Sequence, residues 1–128
     1  MTTVAAAIVR RGGRILICRR TADQPHPLKW EFPGGKVEPG ETPPQALCRE
    51  LQEELAMHVS FADEVERYEF CYPGKNPILL IFYGVTDFSG EPRNCVFAEI
   101  RWVAAKDLPR FDFLEGDIEF VKRLAKEN

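Results

Sequence analysis

Glu50, Glu53 and Glu54 are the residues whose types and spacing most suggest chemistry. In a helix advancing 100° per residue they share about a 100° arc. An apolar seam of Leu47, Cys48, Leu51 and Leu55 lies beside them. Like charges three and four residues apart repel, by roughly a few tenths of a kcal/mol per pair. A solvated face would intersperse lysines, whereas here only Arg49 stands near, four residues before Glu53. A divalent cation relieves such crowding. Carboxylate oxygens at this spacing suit hard Mg²⁺ or Mn²⁺, which keep several waters and share phosphate oxygens. From the helix alone, an ordinary acidic face is an equally good reading.

Charge along the chain supports the cation reading. Residues 1–30 hold six Lys/Arg against one acid, 31–69 hold ten acids against three bases, and the remainder comes to −1, giving the net −3. A basic stretch followed by an acidic one suits a polyanion held through metal: carboxylates take the cation and arginines the phosphates. A patchy surface gives the same pattern. The acidic pI of about 5.5 argues against a general nucleic-acid partner.

The elements that must position these residues can be read in outline. Val4–Arg10 and Arg14–Arg19 are β-prone runs joined by Gly12-Gly13, a hairpin turn. Thr21–Lys29 is a loop, and Trp30 to Glu41 is a structured Gly- and Pro-rich segment with aromatics at its start. Thr42-Pro43-Pro44 starts a helix that runs from about Pro44 to Leu55 or Ala56. Strands are expected at Val65–Tyr72, Ile78–Val85 and Glu99–Val103, and an amphipathic helix from Glu115 or Gly116 to Ala125 built on Ile118, Val121 and Leu124. The sum is a mixed α/β domain, its sheet largely hairpin-built, with two main helices.

At 128 residues and 45% hydrophobic content, with fourteen aromatics, one packed domain over 1–128 is expected. No apolar run approaches the ~20 residues that span a bilayer, and Met1-Thr-Thr carries no charged leader, so a cytoplasmic protein without membrane contact is expected. Cys18, Cys48, Cys71 and Cys95 show no ligand-like spacing and read as reduced, mostly core thiols.

Gly35, five residues, Glu41, seven residues, then Arg49-Glu50-Leu51-Gln52-Glu53-Glu54 and Leu55-Ala56-Met57 resembles the Nudix box, G-x5-E-x7-R-E-U-x-E-E-x-G-U, over residues 35–57. Every fixed charged position and the first glycine match; Ala56 stands where the family has Gly. The resemblance implies an α/β/α sandwich and Mg²⁺-dependent hydrolysis of a nucleoside diphosphate linked to a variable group, Mn²⁺ being a possible substitute. It implies that Glu50, Glu53 and Glu54 hold metal, with the Gly35 carbonyl adding an oxygen. Arg49 then orients Glu53 and Glu41, and Glu41 closes the loop against the helix. Glu99 lies in a strand similar to the one where MutT-type members carry a further metal-binding Glu. The general base is Glu53, Glu54 or Glu99 by the same comparison.

Beyond the box, Arg19–Asp23, Lys29–Lys36 and Gln45–Glu54 are similar to the MutT branch, which cleaves nucleoside triphosphates to monophosphate and pyrophosphate. The likeness puts Arg20 and Phe32 at the base pocket and Lys36 near phosphate. A phenyl face stacks on a base and a guanidinium donates to a base carbonyl. Asp117 best matches the segment that relatives set against the base; as an acid in the first turn of a helix it is otherwise unremarkable. The asparagine expected of an 8-oxoguanine reader is not evident, which leaves 8-oxo-dGTP and CTP or a modified cytidine triphosphate both open. ADP-ribose or a dinucleoside polyphosphate is the alternative substrate, and a non-catalytic 8-oxoguanine-recognising module the alternative class. A monomer or a homodimer is compatible with all of these.

Overall fold

Every central strand of this chain carries apolar residues on both faces, and the fold follows from that. A computed structural model describes residues 1–127; Asn128, the last residue of the expected domain, lies outside the described residues. The elements are β1 (Thr2–Arg11), β2 (Arg14–Arg19), β3 (Trp30–Glu31), β4 (Gly34–Lys36), α1 (Pro43–Leu55), β5 (His58–Phe70), β6 (Ile78–Ser89), β7 (Glu99–Ala104), a 3-10 turn (Ala105–Arg110) and α2 (Glu115–Ala125).

Strand β1 is the axis. It runs parallel to β6 from Thr2↔Ile78 to Val9↔Val85. Its other edge meets β4 first, Val4↔Lys36 to Ala6↔Gly34, and then turns through the Gly12-Gly13 hairpin into β2. β2 carries β7 along its length and the two residues of β3 at its end. β5 completes the sheet antiparallel to β6.

Alternation sorts these strands into two cores. Ala5, Ala7, Val9, Leu16, Ile81 and Val85 face one side, where Leu47, Leu51 and Leu55 of α1 cover them. Ala6, Ile8, Ile15, Ile17, Leu80 and Phe82 face the other, under Phe120, Val121 and Leu124 of α2. A sheet buried on both faces needs continuous apolar strands rather than strict alternation, and β1 and β2 supply them. The result is an α/β/α sandwich.

Three sequence expectations are corrected. β5 begins at His58 rather than Val65 and stops at Phe70. Its first half is bulged, with register shifts between Val59 and Glu66, and is held extended by pairing with β6. Only Cys18 is a core thiol; Cys48, Cys71 and Cys95 are exposed, and all four are free. On α2, Ile118 is 37% exposed, and the buried stripe is Asp117, Phe120, Val121 and Leu124. An acid occupies the place that apolar spacing gave to its neighbour.

Candidate active site

Helix α1 is fixed at its start by a capping box. Thr42 accepts the Gln45 backbone N–H, and the Gln45 side chain accepts that of Thr42. One turn further in, Arg49 becomes a hub. Its guanidinium donates to both oxygens of Glu41, at 2.7 and 3.0 Å, to Glu50 at 2.8 Å and to the Lys36 carbonyl at 3.2 Å. Glu53 stands 3.5 Å away. Hydrogen bonds from Arg49, helped by the Glu38 backbone, hold the Glu41 carboxyl down at about 2. Glu41 in turn accepts the Glu38 N–H and ties the 38–41 loop to the helix.

Gly34 and Gly35, at the start of β4, lie against this acid face. The Glu54 carboxylate accepts the Gly34 N–H at 3.0 Å. A Cβ on Gly35 would fall 2.6–2.8 Å from the Glu50 carboxyl atoms, so only glycine leaves that carboxylate in place. Burial pushes Glu54 up to about 8 against the Gly34 hydrogen bond, and the charges of Glu50, Glu31 and Glu53 push the same way. Acids forced together like this, beside a backbone carbonyl with no side chain in the way, are the donor chemistry a hard cation takes. As the side chains stand, no three acids among the described residues are gathered closely enough to hold an ion. Glu53 is 60% exposed, and Arg49 engages both it and Glu50.

The far end of α1 stops at Ala56, which takes the left-handed conformation at φ 55°. Its helix end is covered from a distance: Cys95 and Arg93 donate their N–H groups to the carbonyls of Glu54 and Leu55. The Asn94 side chain clamps the Phe97 backbone at both N–H and carbonyl. Val96 and Phe97 are thereby brought to a cavity beside Glu54.

That cavity, about 270 Å³, has two unlike ends. Gly34, Gly35, Lys36 and Glu54 form one. Arg20, Glu31, Phe32, Tyr72, Leu80 and Asp117 form the other, with Gln24 and His26 from the 21–29 loop. Phe32 is both core and wall, packed on Phe82 and Phe113 while facing the cavity. Arg20 donates to the Pro25 carbonyl at 2.8 Å and to Glu31 at 3.2 Å. Asp117 is 6% exposed. Burial pushes it up to about 8, reinforced by the charge of Glu31, with a hydrogen bond accepted from the Phe32 backbone N–H acting the other way. Burial also lifts Glu31 to about 6, against the opposing pull of Arg20.

The structure thus gathers Arg20, Phe32, Gly35, Lys36, Glu54 and Asp117 around one cavity and sets Glu50 against its Gly35 wall. Glu41 and Arg49 support it from behind. Glu99 sits opposite Arg19 on β7, two residues after Phe97 of the cavity wall, and pairs with Arg101. Sequence reasoning missed Glu31 and Tyr72. Glu31 between Trp30 and Phe32 was the available signal, since an acid flanked by two core aromatics needs a partner. Tyr72 gave none.

A two-helix sandwich whose acid-bearing helix packs against a short Gly-Gly strand is the architecture of a hydrolase of the Nudix family, and this chain belongs to it, the NUDIX domain pattern matching residues 1–124. Within the family the chain is MutT-like. It is 40% identical to a protein of Haemophilus influenzae named 8-oxo-dGTP diphosphatase, over 97% of this chain and 91% of that one. It is 34% identical to a CTP pyrophosphohydrolase of Escherichia coli, over 95% and 90%. The crystal structure of a MutT Nudix hydrolase from Burkholderia pseudomallei superposes with a TM-score of 0.85 at 28% identity, covering 94% of this chain and 95% of that one.

Proposed function

We propose that this Nudix hydrolase is a divalent-metal-dependent nucleoside triphosphate pyrophosphohydrolase, releasing nucleoside monophosphate and pyrophosphate. The observation that carries the reading is the two-ended cavity: an end of aromatic rings and convergent polar groups suits a base, and it is continuous with an acidic end suited to metal and phosphate. Glu50, Glu53, Glu54 and the Gly35 carbonyl are the residues that would hold Mg²⁺ or Mn²⁺, with Glu99 supplementing them after a side-chain rearrangement. When bound, the cation neutralises phosphate oxygens and activates the attacking water.

The chain's own side chains do the rest. Arg49 orients Glu50 and Glu53, Glu41 holds Arg49, and Lys36 meets phosphate from the end of β4. Among the general-base candidates Glu53, Glu54 and Glu99, Glu54 is the one that reaches the cavity wall. Phe32 offers its ring to the base, Arg20 donates to it, and Asp117, kept protonated by burial, both donates and accepts. Relatives named for 8-oxo-dGTP and for CTP support these two substrate types. The reading includes a single domain over 1–128, a cytoplasmic setting, no nucleic-acid partner, and a monomer or homodimer. No helix among the described residues is long and apolar enough to cross a membrane.

The test is turnover with Mg²⁺ on 8-oxo-dGTP, dGTP, CTP, dCTP, 5-methyl-dCTP, ADP-ribose and a dinucleoside polyphosphate, with pyrophosphate and monophosphate measured separately. Pyrophosphate release from 8-oxo-dGTP or a cytidine triphosphate is expected. Turnover confined to ADP-ribose or the dinucleotide would overturn the base-pocket roles, and no turnover at all would return the chain to the binding-module class.

A further inference from the structure

Two tyrosines hydrogen-bond the same residue, and only one of them faces the cavity. Gly116 is the second residue of α2, where the backbone N–H has no partner inside the helix, and Leu114 at the N-cap supplies no side-chain bond. The Gly116 N–H donates to the Tyr72 hydroxyl at 3.1 Å, while the Tyr68 hydroxyl donates to the Gly116 carbonyl at 2.6 Å. A Cβ on Gly116 would lie 3.1 Å from the Tyr72 oxygen and 3.2 Å from Leu80 Cδ1, so glycine permits this close seat. Asp117, the next residue, is thereby set into the cavity wall.

Their hydroxyl protons differ. Tyr68 spends its proton on the Gly116 carbonyl and does not line the cavity. Tyr72 accepts from Gly116, so its own proton must point elsewhere, and among the described residues it meets no acceptor. Its ring lines the cavity, flanked by Phe70 at 4.8 Å and His26 at 4.9 Å between ring centroids. A phenol held by an N–H on its lone pair and free to donate is a preorganised hydrogen-bond donor.

We infer that Tyr72 is a specificity-determining residue that donates its hydroxyl proton to an acceptor on the nucleobase, a carbonyl oxygen or an unprotonated ring nitrogen, while Tyr68 only anchors α2. The inference rests on the triphosphate reading above.

The experiment compares wild type, Tyr72→Phe and Tyr68→Phe with Mg²⁺ on 8-oxo-dGTP, dGTP, CTP and dCTP. Wild type is first required to turn over at least one of them; failure there overturns both readings. Given turnover, Tyr72→Phe is expected to raise KM for the preferred nucleotide about 10-fold with kcat within about twofold, and to shrink the kcat/KM ratio between bases about 5-fold. Tyr68→Phe is expected to lower thermal stability and leave that ratio unchanged. Metal-free titration with the monophosphate of the preferred nucleotide should show about 10-fold weaker binding by Tyr72→Phe. An unchanged base ratio and unchanged monophosphate binding in Tyr72→Phe, or an equal shift in Tyr68→Phe, overturns the assignment.

Discussion

The two ends of the cavity are built on opposite plans. The acidic end comes from one short stretch: strand β4, the 38–41 loop and helix α1, tied by Arg49, with Glu53 open to water. The other end is collected from distant places: Arg20 after β2, Glu31 and Phe32, Tyr72 after β5, Leu80 on β6 and Asp117 on α2, around a buried acid. Chemistry that depends on charge at fixed offsets can be carried by one helix and its lead-in loop. Selection of a ligand by shape depends on the whole sandwich. The first end is therefore expected to respond to mutation through turnover, and the second through affinity, selectivity and stability.

The largest effect belongs to the acidic end. Glu53→Gln, exposed and unburdened by packing, should lower kcat by about 1000-fold or more on every substrate, since the amide keeps the shape and loses the charge that holds metal. Thermal unfolding should stay within about 2 °C of wild type. Unchanged kcat would break the division at its stronger side. Gly35→Ala should follow, with about a 100-fold loss in kcat, because the new Cβ displaces the Glu50 carboxylate rather than straining the backbone. Activity within threefold of wild type would show that the Glu50 seat is not required.

The base end should reveal itself in stability. Asp117 holds its proton to about 8 when folded and would lose it near 4 when unfolded. Between those pH values the unfolded chain binds fewer protons, so this residue makes stability fall as pH rises, by up to about 1.4 kcal/mol per unit. Asp117→Asn removes this part of the slope and leaves the like-signed parts of Glu54 and Glu31. Urea unfolding from pH 5 to 8 should show the variant gaining on wild type with each unit, and parallel curves would contradict the buried, protonated acid. The smallest effect is expected at Ala56→Gly. Relief of the left-handed conformation should add about 1 kcal/mol of stability, with kcat and base preference unmoved; a loss of stability would mean the 90–98 loop depends on the alanine side chain.

The same division explains what was legible in the sequence. Helix α1, its Thr42 cap, the Gly12-Gly13 hairpin and the acid set could be read because each is a pattern over a few residues. Ala56 stood out as the one departure from the box, in place of Gly, and the structure puts it in the left-handed conformation that Gly favours. Asp117 and Phe32 were reached by likeness to MutT-type enzymes rather than by pattern. Glu31 and Tyr72 were not reached: each gains its role from partners eleven and forty-four residues away, Arg20 and Gly116. β5 was truncated because pairing with β6, and not its own alternation, keeps His58–Glu64 extended. On α2, Val121 and Leu124 were read as buried and are, and only Ile118 was misplaced, because a buried acid such as Asp117 reads as a surface residue.

The most direct test of the division is one set of steady-state measurements: kcat and KM for Glu53→Gln and Asp117→Asn, side by side, on the panel of 8-oxo-dGTP, dGTP, CTP and dCTP. Glu53→Gln should lower kcat on all four by a common factor and keep their order of kcat/KM. Asp117→Asn should keep kcat on at least one nucleotide and change the order. An altered order in Glu53→Gln, or a uniform loss of kcat in a folded Asp117→Asn, would show that chemistry and base selection are not divided between the two ends of the cavity.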